Sequence, residues 1–460
     1  MQGERENAGG QRRVWSAKSA IDRRTFLRGT AAAGAGLALA PVVFGQGGKP
    51  DQINVALLGA GAQGGVLMEA ATNIPGVRFQ AVCDVWESYN LKRTVNLLQR
   101  KGHEVKGYVD YQEMLAAQQD LDAVLIATPD FWHAEHAAAC LEAGRHVYCE
   151  KEMSNTLAGA RRMVRAARQA GKLLQIGHQR RSNPRYLFAF EKIIKEAKLL
   201  NRITTVEGRW NRSRAACEDL GWAERYTIDA ATLQKYGYES MQQFRNWRWY
   251  KKLGGGPIVD LGSHQIDVYN WFLQSRPKAV LASGGADYWK GREWYDVVFA
   301  VYEYETADGV VRALYTTGTT TGYMGYHESF LGDHGALVIS ESAGYNDVYR
   351  EGWVSETDWE PWVRKGYLSL VEEPPAAAAS AVGVMDVRES AKPPRYKLNM
   401  VLDKLPHQPH VENFFAAVRG RAKLTCPAAV GYETAVTVLK VNEAVAAGQR
   451  LAFQADEFVV

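Results

Sequence analysis

The stretch "INVALLGAGAQGG", residues 53 to 65, constrains this chain more than any other. An apolar run of strand character stops at Gly59, and Gly59, Gly61 and Gly64 are spaced G-x-G-x-x-G before a helical pattern begins. Glycine lets the backbone turn tightly and come close to a pyrophosphate, while the start of a helix favours an anion. The next strand, "VRFQAVCD", ends in Asp84, 20 residues after Gly64. An acid there accepts hydrogen bonds from a ribose diol and repels a 2′-phosphate, so NAD is expected and NADP is disfavoured. The competing reading, a glycine turn kept only for packing, explains neither the strand before it nor the acid after it. Gly59, Gly61, Gln63, Gly64 and Asp84 are therefore the first candidate cofactor contacts.

The rhythm continues downstream. The strands "DAVLIATP", "HVYCE" and "KLLQIGH" are separated by the helical stretches "HAEHAAACLEAG" and "TLAGARRMVRAARQAG". Strands alternating with helices predict a doubly wound parallel sheet over about 51–180. After about 181 the pattern changes to period-two segments such as "RITTVEGRWNRS", "KAVLASGGADYW", "YDVVFAVYEYE" and "VVRALYTTGT". These predict an α+β domain over 181–460 with an open, mainly antiparallel sheet. Residues of about 213–246 and 341–396 fit no element and are expected to be insertions, serving as lids or contact arms. "GYETAVTVLKVNEAVAAG" predicts a late amphipathic helix.

Further motifs resemble the glucose–fructose oxidoreductase, inositol dehydrogenase and rhizopine-catabolism (Gfo/Idh/MocA) family over about 53–453. They are Thr128-Pro129, His133, "AGRHV", Glu150-Lys151, and "GGGPIVDLGSHQID" with Asp260, His264 and Asp267. The resemblance implies Thr128, Pro129, His133 and Glu150 on the cofactor side, with Glu150 either touching the cofactor or orienting Lys151. It also implies Lys151 near the nicotinamide and the substrate hydroxyls, with Asp260 and His264 facing the same pocket from the second domain.

Physical reasoning supports that grouping. Asp260, His264 and Asp267 follow i, i+4, i+7 spacing on one helix face. Oxidation of a secondary alcohol requires loss of the hydroxyl proton, which a neutral His264 can take while Asp260 orients it and Lys151 steadies the alkoxide. Asp267 is expected to bind substrate. The same spacing is also compatible with a metal, but no other cluster completes a ligand set, so no metal is expected. "GHQRRSNPRY" follows the last strand of the first domain; Gln179 and Arg180 are pocket candidates there, with an interdomain salt bridge the alternative. Glu152 stands where the family usually has proline, either as a partner for Lys151 or for a substrate hydroxyl. The chain's 13 Trp and 22 Tyr suit sugar faces, though most such rings fill cores.

The amino terminus, about 1–46, resembles a twin-arginine export signal: Arg23-Arg24, then Phe26-Leu27, then "AAAGAGLALAPVVFG". Residues 1–40 hold seven Lys/Arg and three Asp/Glu, which accounts for the whole chain's formal charge of +4. The remainder is neutral, so a nucleic-acid partner is not expected. No membrane span is expected after signal removal, and the five cysteines form no CxxC pair and read as buried small residues.

Export puts the expected partners in order: the twin-arginine machinery first, then a carbohydrate in a periplasmic or extracellular compartment that lacks free NAD. A tightly held cofactor follows, regenerated in the same site. Two chemistries meet that condition. One is an oxidoreductase acting on a secondary hydroxyl of a sugar, glycoside or cyclitol. The alternative is an NAD-dependent glycosidase working by transient C3 oxidation and elimination. The open sheet face predicts a homo-oligomer.

Overall fold

The computed structural model of the protein describes residues 51–372 and 392–460. The expected export segment lies outside them. Among the described residues no helix is long and apolar enough to cross a membrane.

The first half runs β1 (Ile53–Leu58), α1 (Ala62–Thr72), β2 (Val77–Cys83), α2 (Lys92–Arg100), β3 (Lys106–Tyr108), α3 (Tyr111–Ala117), β4 (Ala123–Ile126), α4 (Asp130–Glu142), β5 (His146–Cys149), α5 (Leu157–Ala170) and β6 (Leu174–Ile176). Its six strands pair in parallel in the order β3-β2-β1-β4-β5-β6. That is the dinucleotide-binding order, with the sheet reversing direction between β1 and β4. The "AVLI" run of β4 is buried at every residue, as a strand covered on both faces must be. Helix ends follow local chemistry. Thr156 caps α5 by accepting from Gly159 N, and Gly171 closes it in the left-handed region at φ 62°.

The second half runs α6 (Pro184–Phe188), β7 (Ile203–Asn211), α7 (Arg214–Cys217), α8 (Ala230–Lys235), α9 (Met241–Arg245), α10 (Gly256–Phe272), β8 (Pro277–Gly285), β9 (Val297–Thr306), β10 (Gly309–Gly318), β11 (Tyr326–Gly332), β12 (Gly335–Ile339) and β13 (Asn346–Arg350). It continues with α11 (Glu356–Arg364), β14 (Leu368–Leu370), β15 (Arg395–Leu398), α12 (Gln408–Val418), α13 (Ala428–Ala447) and β16 (Leu451–Ala452). Ten strands form one sheet in the order β14-β15-β13-β12-β11-β7-β10-β9-β8-β16, antiparallel except for β7 with β10. Alternate residues of β8 and β9, such as Val280, Val298, Ala300 and Tyr302, bury against α10 and α13. Their neighbours Leu281, Phe299 and Val301 point away and are exposed.

Two features depart from the sequence expectation. The segment 341–396 is not simply an arm, because its described part supplies β13, α11, β14 and the start of β15. Trp359 and Tyr396 are buried there. Short strands of mixed polarity, such as "NDVYR", carry too little alternation to be recognised alone. In addition, the parallel sheet is not completed by residues 51–180. Val411, Phe414 and Phe415 of α12 bury against Ile53, Val55 and Leu57 on one face. Tyr432, Ala435 and Val436 of α13 join Ala56 and Leu58 on the other. All five cysteines are buried and free.

Candidate active site

The glycine turn divides its three glycines by task. Gly59 has φ +90°, and a Cβ there would lie 2.7 Å from Thr128 N. A Cβ at Gly64 would lie 2.0 Å from Gly59 O, so α1 can pack against the turn only without a side chain. At Gly61, by contrast, a Cβ would meet nothing nearer than Asn90 Nδ2 at 4.0 Å. Open space therefore stands at the amino terminus of α1, which is where a pyrophosphate needs bare backbone. Asp84 accepts Ala60 N at 2.7 Å and Trp86 N at 2.8 Å. Burial pushes its carboxyl above the usual range, and those two N–H groups pull it back. A carboxylate offers about four lone-pair sites, so sites remain for a diol. Gly59, Gly61, Gln63, Asp84, Thr128, Pro129 and Glu150 all line one cleft. These residues fit a dinucleotide.

That cleft has a cover, drawn from the segment expected to be a lid or contact arm. Residues 213–253 cross from the second half as three short helices, and Leu220, Tyr236, Tyr238, Phe244 and Trp247 complete its wall. The strap is anchored on the first half. Trp86 Nε1 donates to Tyr226 O at 2.5 Å, Trp132 Nε1 to Tyr236 O at 3.2 Å, and Lys235 pairs with Asp110 at 3.1 Å. Trp86, Ile228, Leu233, Tyr236, Tyr238, Met241 and Leu253 share one buried cluster. Much of the aromatic content expected to suit a sugar is used here as packing.

A second cleft adjoins the first, and Gln63, Glu150, Lys151 and Arg248 line both. Lys151 follows β5 and reaches across to α10, donating to Asp260 O at 2.5 Å and Asp260 Oδ1 at 3.1 Å. Arg248 Nε stands 3.3 Å from the other carboxylate oxygen. Burial raises the Asp260 carboxyl, but Lys151, Arg248 and Arg212 outweigh it and hold it far below the carboxylate range. Glu150 accepts from Gln63 Nε2 at 3.0 Å and from Lys151 N at 3.2 Å, so its carboxylate joins the glycine turn to the lysine. The Lys151–Glu152 peptide is cis. His264 lies against Trp210, ring centroids 5.4 Å apart, and its Nδ1 has no partner. Burial and then the charge of Lys151 keep the imidazole well below its ordinary pKa, so it is neutral.

Several expected site residues stand elsewhere. Asp267 is on the same helix as Asp260, but seven residues at about 1.5 Å each set it about 10 Å further along the axis. There both its oxygens take Arg181 Nε at 2.9 Å, Thr434 Oγ1 donates at 2.8 Å, and neither of the two clefts includes it. Arg180 is held by Glu328 and Glu341 and is 1% exposed, so the salt-bridge alternative describes it; Gln179 does line the second cleft. His133 touches neither cleft. Its ring spans Glu152 O (2.7 Å) and Thr128 O (2.6 Å), bracing the loop that carries Lys151. Glu152 meets neither Lys151 nor the clefts. It is fully buried, accepts Met153 N at 2.6 Å through Oε1, and leaves Oε2 without a partner. No hydrogen bond joins Asp260 to His264 among the described residues, because the carboxylate is taken by Lys151 and Arg248.

The sequence reading missed Asp130, Arg212 and Arg248. Asp130 is 3% exposed, and burial, then the charge of Asp260, push its carboxyl up to about 7. Its place directly after Thr128-Pro129 was the available signal. Among the described residues no group of three or more His, Cys, Asp or Glu is arranged to hold a metal.

Residues 53–178 match the family described as "Oxidoreductase family, NAD-binding Rossmann fold", and residues 201–338 match "GFO/IDH/MocA C-terminal domain". A 4-carboxy-2-hydroxymuconate-6-semialdehyde dehydrogenase of Sphingobium sp. is 32% identical over 192 residues, covering 41% of this chain and 59% of that protein. The scyllo-inositol 2-dehydrogenase (NADP(+)) IolW of Bacillus subtilis is 26% identical over 70% of this chain and 78% of its own. Among solved structures, the WlbA dehydrogenase of Bordetella pertussis with NADH and UDP-GlcNAcA superposes with a TM-score of 0.62 at 18% identity, covering 88% of this chain and 100% of that one. With both halves matched in order, the chain belongs to the GFO/IDH/MocA family of oxidoreductases.

Proposed function

We propose that the protein is an exported oxidoreductase that moves a hydride between a tightly held NAD and a secondary hydroxyl of a sugar, glycoside or cyclitol. One observation carries this: Lys151, at the junction of the two clefts, joins the dinucleotide-binding half to Asp260 of the other half. When bound, the nicotinamide supplies the hydride acceptor. Lys151, held between Asp260 and the glycine-turn network, places a positive charge where an alkoxide develops. Neutral His264 takes the hydroxyl proton. Trp210 and Tyr326, stacked at 4.5 Å, offer a flat wall to a ring. The strap supports retention of the cofactor, and Asp84 supports NAD over NADP. The arginine pair and the apolar stretch after it support export, and exposed Leu281, Phe299 and Val301 support self-association.

The test is mass spectrometry of the nicotinamide released from denatured protein, followed by a screen of sugars and cyclitols read at the absorbance of the reduced cofactor. A protein that carries no nicotinamide and binds none when supplied overturns the proposal. Fractionation of the producing cells tests export, and light scattering tests the oligomer.

One observation favours redox-neutral glycoside cleavage as a second reading. Asp130, held protonated up to about pH 7 beside the Lys151–Asp260 pair, is a second proton carrier of the kind an elimination requires. Release of p-nitrophenol from an aryl glycoside, with NAD required but not consumed, selects it.

A further inference from the structure

We propose that Arg212 binds a carboxylate of the substrate, so that this site takes a sugar acid; the proposal rests on the reading of the second cleft as the substrate site. β7 ends at Asn211, and its alternation sends Trp210 and Arg212 to the cleft while the Asn211 amide turns away to Tyr323 O at 2.9 Å. Arg212 N donates to Gly318 O at 2.9 Å, which fixes its backbone. Its half-buried guanidinium lies 5.9 Å from the Trp210 ring centroid and makes no hydrogen bond or ion pair to another side chain among the described residues.

Every carboxylate lining this cleft is already engaged. Asp260 holds Lys151 and Arg248. Glu341 holds Arg180 and Gln179. Glu150 holds Gln63 and the Lys151 amide. Glu218 stands 3.6 Å from Arg214. Around Asp260, three cations thus face one fixed negative charge, and among the described residues Arg212 is the one of the three that makes no close ion pair with it. The cofactor does not account for it, because Arg212 lines only the second cleft and is absent from the one under the glycine turn. A guanidinium presents paired N–H groups that match a carboxylate fork, and its single charge matches a single carboxylate.

The test is calorimetric binding of D-glucuronate, D-glucose and D-glucose 6-phosphate to the cofactor-loaded full chain and to Arg212→Gln and Arg212→Lys. The expectation is that glucuronate binds about tenfold or more tighter than glucose, the range of one charged hydrogen-bonded pair. In Arg212→Gln that ratio falls to about one, and Arg212→Lys, which keeps the charge without the fork, falls between. Because the guanidinium makes no hydrogen bond or ion pair to a side chain among the described residues, both variants are expected to melt with the parent protein. Equal affinities in the parent, a ratio that survives in Arg212→Gln, or a preference for the phosphate each overturns the assignment. Binding is read without turnover, so the two proposals fail separately. Arg212-dependent glucuronate binding in a protein that never transfers hydride sustains this inference and removes the redox reading. Oxidation of glucose with no discrimination for the acid does the reverse.

Discussion

Replacing Glu152 with glutamine should stabilise the protein, and the gain should depend on pH. The side chain has no exposed surface, and its carboxyl is pushed up to about 8 from an ordinary 4.5. Burial is the main cause. The Met153 N–H opposes it, the charge of Asp130 adds to it, that of Lys151 opposes it, and that of Asp267 adds again. Below pH 4.5 the folded and unfolded chains both carry the proton, so the group contributes no difference. Between 4.5 and 8 the unfolded chain ionises while the folded one does not, and stability falls as pH rises. The interval from 4.5 to 7, at about 1.4 kcal/mol per pH unit, costs the folded state about 3 kcal/mol at neutral pH. Glutamine mimics the protonated acid, since its Oε1 can accept Met153 N and its amide does not ionise. Urea unfolding at a series of pH values should therefore show parent and Glu152→Gln together near pH 4.5 and separated by about 3 kcal/mol at pH 7. A difference that stays constant with pH, or a variant less stable at pH 7 than at pH 5 relative to the parent, refutes the assignment of a neutral buried acid.

Other outcomes follow from the same contacts. Lys151→Met should lower turnover by about 10²- to 10³-fold, as loss of one preorganised donor does, while the protein keeps its nicotinamide through gel filtration. Trp86→Phe keeps a ring but removes the N–H to Tyr226 O, about 1 kcal/mol, so the bound nicotinamide should dissociate about fivefold faster in a chase with free NAD. Arg180→Met leaves Glu328 buried without its cation and should cost about 3–5 kcal/mol in denaturant unfolding, with the nicotinamide content of the folded fraction unchanged.

Legibility in the sequence followed the range of the interaction. The glycine turn, Asp84 and the parallel sheet were readable because each is set by neighbours in the chain. Lys151 and Asp260 were readable because motifs flank both. What the sequence hid depends on contacts between distant residues. Asp267 keeps the helical phase of Asp260 but not its depth, and phase alone cannot show where a cleft ends. His133 was read as a cofactor contact because it sits in the right motif, yet its ring is turned towards two carbonyls. The strap was legible as a lid or contact arm, but not the packing that anchors it. Its aromatic residues have no period of their own, and they are apolar in the service of a surface that residues 86–132 provide.

The return of α12 and α13 to the parallel sheet has a consequence for synthesis. Val55 and Leu57 emerge early from the ribosome, but Phe414 and Phe415, which cover them, emerge about 360 residues later. Until then that face of the nucleotide-binding sheet is covered only in part, by Leu67, Met68 and Ala71 of α1, and exposed apolar strands are the surfaces that chaperones meet. The half that is made first is therefore finished last.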